Sequence, residues 1–292
     1  MASQPTPYAT DRRAEPDARS DFPPAIVHRR AAAWAQLLPA HRRTVLAKTP
    51  LLVALGLYLA GGHFAAPAVW RTMVLAAALW AALYALNEST DLVHEHGLTI
   101  SAAMQASLLA LPAALCLLAA SLSLTLALLF ALMTLGQIAY CVPPFRLKRY
   151  WWAILLLSGT INPALRLQCG ALWGPHTIPP LAYAVVVALH LGAGLRSRAL
   201  LRERDRALAY HVAPRGIECV GMVCTFAGFA GAFLLCAQGV LPALLAPLLA
   251  LATAFSVYAW SGRETSVARL RQGWLWFTLL AALAMVVLLM RG

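Results

Sequence analysis

The chain has 292 residues, of which 61% are hydrophobic and only 12% charged, with a net charge of +12. A soluble domain is nearer half apolar and about a quarter charged, so these figures exclude an ordinary soluble enzyme and point to an integral membrane protein. A disulfide framework or zinc module is excluded too, because Cys116, Cys141, Cys169, Cys219, Cys224 and Cys236 form no CxxC pair and most sit in apolar runs as small hydrophobes.

The first element in chain order is a basic tail, residues 1–44, mixing Pro, Ala, Arg and Asp without apolar periodicity. Its first half reads as disordered, and residues 25–38 (AIVHRRAAAWAQLL) as a short interfacial helix. No long apolar region with a cleavage site follows Met1, so no signal peptide is expected. Residues 45–292 read as one transmembrane domain. A spanning helix needs about 20 apolar residues, and nine stretches qualify, roughly 45–61, 66–86, 101–120, 122–140, 151–170, 179–195, 217–236, 240–260 and 271–290. The third and fourth are joined by a tight Ser-Leu-Ser turn. The expected fold is all-α and polytopic, with nine transmembrane helices.

Charge tests that layout. With the N-terminus cytoplasmic, 20 of the 23 Lys and Arg fall in the tail, in the connections after helices two, four, six and eight, or in the helix ends that adjoin them. Arg71 and Arg291 fall on the opposite side and Arg166 lies inside helix five. Basic residues gather on the cytoplasmic side of membrane proteins, so the expected location is the cell (inner) membrane, multi-pass. The same spread excludes nucleic acid as a partner, which would need a basic face on a folded domain. Trp70, Trp151, Trp152, Trp173, Trp260 and Trp274 lie near helix ends and read as interfacial anchors.

The acidic residues carry more information. Helix two ends in ALNESTDLVHEHGLTI, residues 85–100. On a helix Asn87, Asp91 and Glu95 advance only about 40° per step, with Glu88 close to Glu95, so an amide and three carboxylates share one arc. No Lys or Arg occurs in residues 87–110 to neutralise them. Two readings stand. The acids either face water as a solvated helix end, or hold a hard divalent cation such as Mg²⁺, which takes carboxylate and amide oxygens and keeps room for phosphates. Carboxylates at a membrane edge favour the second. After helix six comes RSRALLRERDRALAYHVAPRG, residues 196–216, where Glu203 and Asp205 stand among arginines. This is either a solvated charge run or a site for a metal and a polyanion together. Between these places lies AYCVPPFRLKRYWW, residues 139–152, where Arg146, Lys148 and Arg149 follow Pro143-Pro144; such cations suit phosphate oxygens or anchor the topology.

These three segments resemble the UbiA superfamily of intramembrane prenyltransferases. That family has nine transmembrane helices around a central cavity and an Asn-Asp-x-x-Asp-x-x-x-Asp motif after helix two. It has a Tyr-Ser-x-Pro-Pro-x-Arg-Leu-Lys-like segment after helix four and a second Asp-rich motif after helix six. Here the first motif reads Asn87-Glu88-x-x-Asp91-x-x-x-Glu95, and the second segment runs Tyr140-Cys141-Val142-Pro143-Pro144-Phe145-Arg146-Leu147-Lys148. The third motif departs from the family's pattern: Arg198 and Leu201 stand where leading acids are usual, leaving Glu203 and Asp205. The connection after Glu95 is also shorter, without the family's Arg-Pro and Gly.

The resemblance implies Mg²⁺-dependent transfer of a prenyl group from an allylic diphosphate to an acceptor, a small aromatic or a lipid, with release of pyrophosphate. It implies metal ligands Asn87, Glu88, Asp91 and Glu95, a second metal at Glu203 and Asp205, and phosphate-binding Arg146, Lys148, Arg202 and Arg206. Asn87, Asp91 and Lys148 would form the catalytic centre. Ser158, Asn162 and Arg166 are four apart on helix five, and with Tyr140 they form either a cavity wall for the acceptor or an interhelical hydrogen-bond network. His94 and His96 would accept the proton released on alkylation or simply face solvent. No protein partner is evident. Two rival functions keep the same site: a membrane terpene cyclase that needs no acceptor, and a non-catalytic ion-binding transporter or scaffold.

Overall fold

The structure is a computed structural model and describes residues 43–64, 66–96, 100–201, 214–261 and 267–291. The tail, with its expected helix at 25–38, lies outside the described residues. Among those residues there is no strand, and the chain folds as α1 (Arg43–Leu59), α2 (Pro67–His96), α3 (Ala102–Ala120), α4 (Leu124–Cys141), α5 (151–171), α6 (Pro180–Leu201), α7 (Pro214–Ala237), α8 (Ala246–Trp260) and α9 (Val267–Arg291). A 3₁₀ turn at Ala243–Leu245 precedes α8. The Ser-Leu-Ser turn works as its residue types demand: Ser121 closes α3 and the Ser123 hydroxyl caps α4 by accepting from the Leu126 N–H.

The second helix behaves as its motif predicts and the fifth does not. The apolar span expected to end at 86 continues, through the residues read on one helical arc, to His96. Nothing between Asn87 and His96 is Gly or Pro, so the polar motif extends the helix and Gly97 follows it in the sequence. The fifth helix is not regular: Trp151–Ala153 leads into a wide π-helical section, Ile154–Ile161, before Asn162–Ala171 resumes the α-helix. Such sections recur at functional sites.

Six of the helices hold a stretch long and apolar enough to cross a membrane; the apolar parts of α1 and α6, Ala47–Leu59 and Pro180–Arg196, are shorter. Large apolar side chains face outward along these rods, among them Leu117, Leu124, Leu251, Leu283 and Met290. Lipid around the bundle makes so many exposed leucines favourable. Buried hydroxyls bond back into their own helices: Thr72 donates to Ala68 O, Thr225 to Gly221 O, Ser256 to Ala252 O and Thr278 to Trp274 O.

Helices meet where small residues let backbones approach. Gly192, Gly228 and Gly231 seat α7 and α6 against Thr225, Leu189 and Val185. The tightest crossing is α1 on α5. A Cβ on Gly56 would lie 1.9 Å from Leu167 O, and one on Gly170 would lie 1.8 Å from Val53 O. Both obstacles are backbone, so only separation of the helices relieves the clash. Gly170→Ala is therefore expected to destabilise the protein by about 1–3 kcal/mol, read as a lower thermal midpoint in detergent. Gly136→Ala, where an added Cβ meets nothing within 4 Å, is expected to leave the midpoint unchanged or raise it.

Candidate functional site

The last turns of α2 carry the first motif, and the segment after α4 is folded onto them. Val142 ends α4, the Arg146 N–H bonds back to Val142 O at 3.1 Å, and the Pro143–Pro144 bond is cis. Arg146 is buried with φ at 38°, a left-handed conformation that residues with a Cβ rarely adopt. Strain of that kind collects at functional sites. The 3₁₀ turn Leu147–Arg149 follows, closed by the Tyr150 N–H on Leu147 O, and delivers buried Lys148 to Asp91, where the two form an ion pair. Tyr140 and Cys141 on α4 pack with Ala85, Leu86, Leu108 and Ile154, which fixes the α2 and α4 ends against each other.

Asn87 lies one turn before Asp91, and its Nδ2 donates to Asp91 Oδ2 at 3.3 Å. Its Oδ1 is buried and accepts nothing from any described residue. The structure thus joins Asn87, Asp91 and Lys148, with half-buried Glu88 alongside. It does not join everything expected. Arg202, Glu203, Asp205 and Arg206 lie outside the described residues, as does the Glu95 side chain. Among the described residues no three His, Cys, Asp or Glu side chains converge as metal ligands. The described oxygen donors are the Asn87 amide and the Asp91 and Glu88 carboxylates.

About two turns back along α2, a second polar group is buried. Arg166 of α5 is 1% exposed, and its guanidinium lies 3.7 Å over the ring of Trp80 with the Tyr84 hydroxyl in hydrogen-bonding reach. Its Nε and Nη1 find no acceptor among the described residues, and Trp80 Nε1 finds none either. Asn162 is buried with it, whereas Ser158, inside the widened section, is half-buried. The expected four-residue repeat fails there because the Asn162 N–H bonds to Leu157 O, one residue further back than in an α-helix. The sequence reading missed Trp80 and Tyr84. Their signal was spacing: 80, 84, 87 and 91 recur every three or four residues, so they share one face of α2 with the motif.

A separate cavity of about 240 Å³ runs between α1, α6, α7, α8 and α9. Its walls are almost wholly apolar, with Lys48 and His190 among lining residues that include Leu241, Leu245 and Met285. Trp274 lines it and stacks edge-on against Phe255, so it is no membrane anchor. Trp260 also turns inward: its Nε1 donates to Thr225 Oγ1 at 3.2 Å and Arg196 lies over its ring. Arg196 donates to Ala259 O at 2.9 Å, capping the last turn of α8 and pinning it to α6. His94 is exposed at the rim of another cavity, about 150 Å³, with Ser89, Thr90, Gln105 and Pro143. The His96 side chain lies outside the described residues.

No protein-family model matches the sequence, and no curated protein does. Among solved structures, the chain is similar to a UbiA homolog from Archaeoglobus fulgidus bound to Cd²⁺, with a TM-score of 0.64, 88% of this chain and 100% of that chain covered, and 17% identity. The chain therefore has the fold of that UbiA homolog. The helical fold expected from the three motifs is the fold observed.

A guanidinium held inside an apolar bundle without an acidic partner among the described residues weakens the fold. Arg166→Met is expected to keep or raise the thermal midpoint in detergent. A clear fall would mean that the Trp80 and Tyr84 contacts outweigh the desolvation.

Proposed function

We propose that the protein is an intramembrane prenyltransferase: it moves a prenyl group from an allylic diphosphate to a small aromatic or lipid acceptor and releases pyrophosphate. The observation that carries the reading is the Asn87–Asp91–Lys148 constellation at one end of a UbiA-type bundle. Asn87 Oδ1, buried without a donor, and the Asp91 carboxylate are hard oxygen ligands, the kind Mg²⁺ takes. Glu88, Glu95, Glu203 and Asp205 would complete the ligand set. That the A. fulgidus homolog is bound to Cd²⁺ supports a divalent ion here. Bound Mg²⁺ would supply positive charge against the charge that develops on departing pyrophosphate.

The chain's own residues do the rest. Lys148 neutralises Asp91 at rest and would exchange that partner for phosphate oxygens when a diphosphate arrives, joined by Arg146, Arg202 and Arg206. Arg166, with two N–H groups open, would hold a carboxylate or hydroxyl of the acceptor, with Tyr140, Ser158 and Asn162 placed around it. The apolar cavity would take the hydrocarbon tail, and its dry walls would protect an allylic cation from water. The distribution of basic residues puts this end of the bundle, and the N-terminus, on the cytoplasmic side.

Purified protein in detergent with Mg²⁺ and ten- to twenty-carbon prenyl diphosphates is expected to release pyrophosphate only when a phenolic acceptor is present. Hydrocarbon or alcohol made without acceptor would mean cyclisation instead. Asp91→Ala is expected to lower turnover at least about a hundredfold while the protein still elutes as a folded species. Chelation of divalent ions is expected to stop wild-type turnover reversibly. An Asp91→Ala protein with undiminished activity would remove the catalytic assignment.

A further inference from the structure

A pocket lies between the start of α2 and the end of α3, where Trp70, Arg71 and Val74 meet Leu118, Ser121 and Leu122. Arg71 and Asn87 share α2 and stand about 24 Å apart along its axis at roughly 1.5 Å per residue. A hydrocarbon layer is about 30 Å thick, so with the motif at one membrane surface Arg71 comes near the head groups of the other. Basic residues are sparse on that side. This one has no acidic partner in its pocket. No Asp or Glu occurs in residues 22–87 or 96–202, which take in α1, the start of α2 and all of α3 and α4.

The surroundings suit an amphiphilic anion. Arg71 is exposed, and Val74 and Leu118 beside it are 66% and 53% exposed, so a cation and an apolar groove share one outward surface. Trp70 borders both. Its Nε1 donates to Phe64 O at 3.1 Å and its ring stacks on Phe64 at 4.6 Å, which holds it as an interfacial aromatic. The Ser121 hydroxyl donates to Leu118 O at 2.7 Å, so its oxygen is left to accept from a head-group N–H or O–H.

We infer that this pocket binds a membrane glycerophospholipid, with its phosphate on Arg71, its head-group donor on Ser121 and one acyl chain along Val74, Leu118 and Leu122. The arginine fork matches phosphate oxygens, and the acyl chain covers apolar surface that a free phosphate would leave bare. The site is remote from Asp91 and Lys148 and does not depend on the prenyltransferase reading.

Native mass spectrometry of the delipidated full chain, titrated with dioleoyl phosphatidylethanolamine, is expected to show one lipid held more tightly than those that follow. Arg71→Gln is expected to weaken that first binding about tenfold, the scale of one hydrogen bond to a charged group. Val74→Glu gives Arg71 an acid at the i+3 spacing of a helix and is expected to weaken it as well. Elution and the thermal midpoint show whether each variant is folded, and either folded variant suffices. Dioleoylglycerol, which has the chains without phosphate, and inorganic phosphate, which has no chains, are expected not to compete. An unchanged first affinity in a folded variant overturns the site. Competition by inorganic phosphate would make it a free-anion site, and competition by dioleoylglycerol a merely apolar one; either result overturns the phospholipid assignment.

Discussion

The ion pair between Asp91 and Lys148 sets the position of everything around it. A lone carboxylate at the edge of an apolar bundle is poorly solvated, and so is a lone ammonium. Each is tolerable because the other is there. The chain goes to some length to bring them together: α2 runs ten residues beyond its apolar stretch, and Arg146 takes a left-handed conformation to turn the chain back. The packing of Tyr140 and Cys141 on Leu86 then holds the two helix ends in register. Because Lys148 holds Asp91 as an ion pair and not as a covalent or buried apolar contact, the pair can part when a stronger anion presents itself.

Polar atoms elsewhere in the bundle show how selective this is. Buried hydroxyls are satisfied within their own helices, so Thr72, Thr225, Ser256 and Thr278 ask nothing of their neighbours. The buried atoms with no partner among the described residues include Asn87 Oδ1, Trp80 Nε1 and two nitrogens of Arg166. These three residues lie along or against a single face of α2, the one that ends at Asp91. A bundle that satisfies threonines so consistently would not leave a guanidinium open by neglect, and such groups inside a membrane default to function.

Much of this was legible before any coordinates. Apolar run lengths marked all nine described helices, and the Asn87–Asp91 spacing placed an amide and a carboxylate on one arc. What ran against the reading was local. Hydropathy marks where lipid contact ends and not where a helix ends, so the apolar span stops at 86 while the polar motif carries α2 on to His96. A regular α-helical period was assumed through Ser158, and the wide section Ile154–Ile161 broke it. Trp260, Trp274 and Arg196 sit where topology alone would put anchors and positive charge, yet tertiary contacts draw all three inward. Lys48 and His190 are single polar residues in apolar runs and carry no pattern at all, so only their convergence on one cavity marks them.

The two faces of α1 explain how a donor and an acceptor would be kept apart until they react. Lys48, Leu51, Leu52 and Leu55 recur at helical spacing and line the apolar cavity. Val53 and Gly56, next to them in sequence, face α5 at Leu167 and Gly170, where backbone meets backbone with no room even for a methyl group. One helix is thus a wall of the apolar cavity on one side and the sealed partner of the Arg166 helix on the other. On the proposed function, a hydrocarbon tail and a polar acceptor would occupy opposite sides of that partition. They would meet past that partition, at the Asp91–Lys148 pair that would hold the leaving group. The tight glycine crossing is then more than a packing solution, because a gap there would connect the polar seam to the hydrocarbon channel and admit water to the bond being broken.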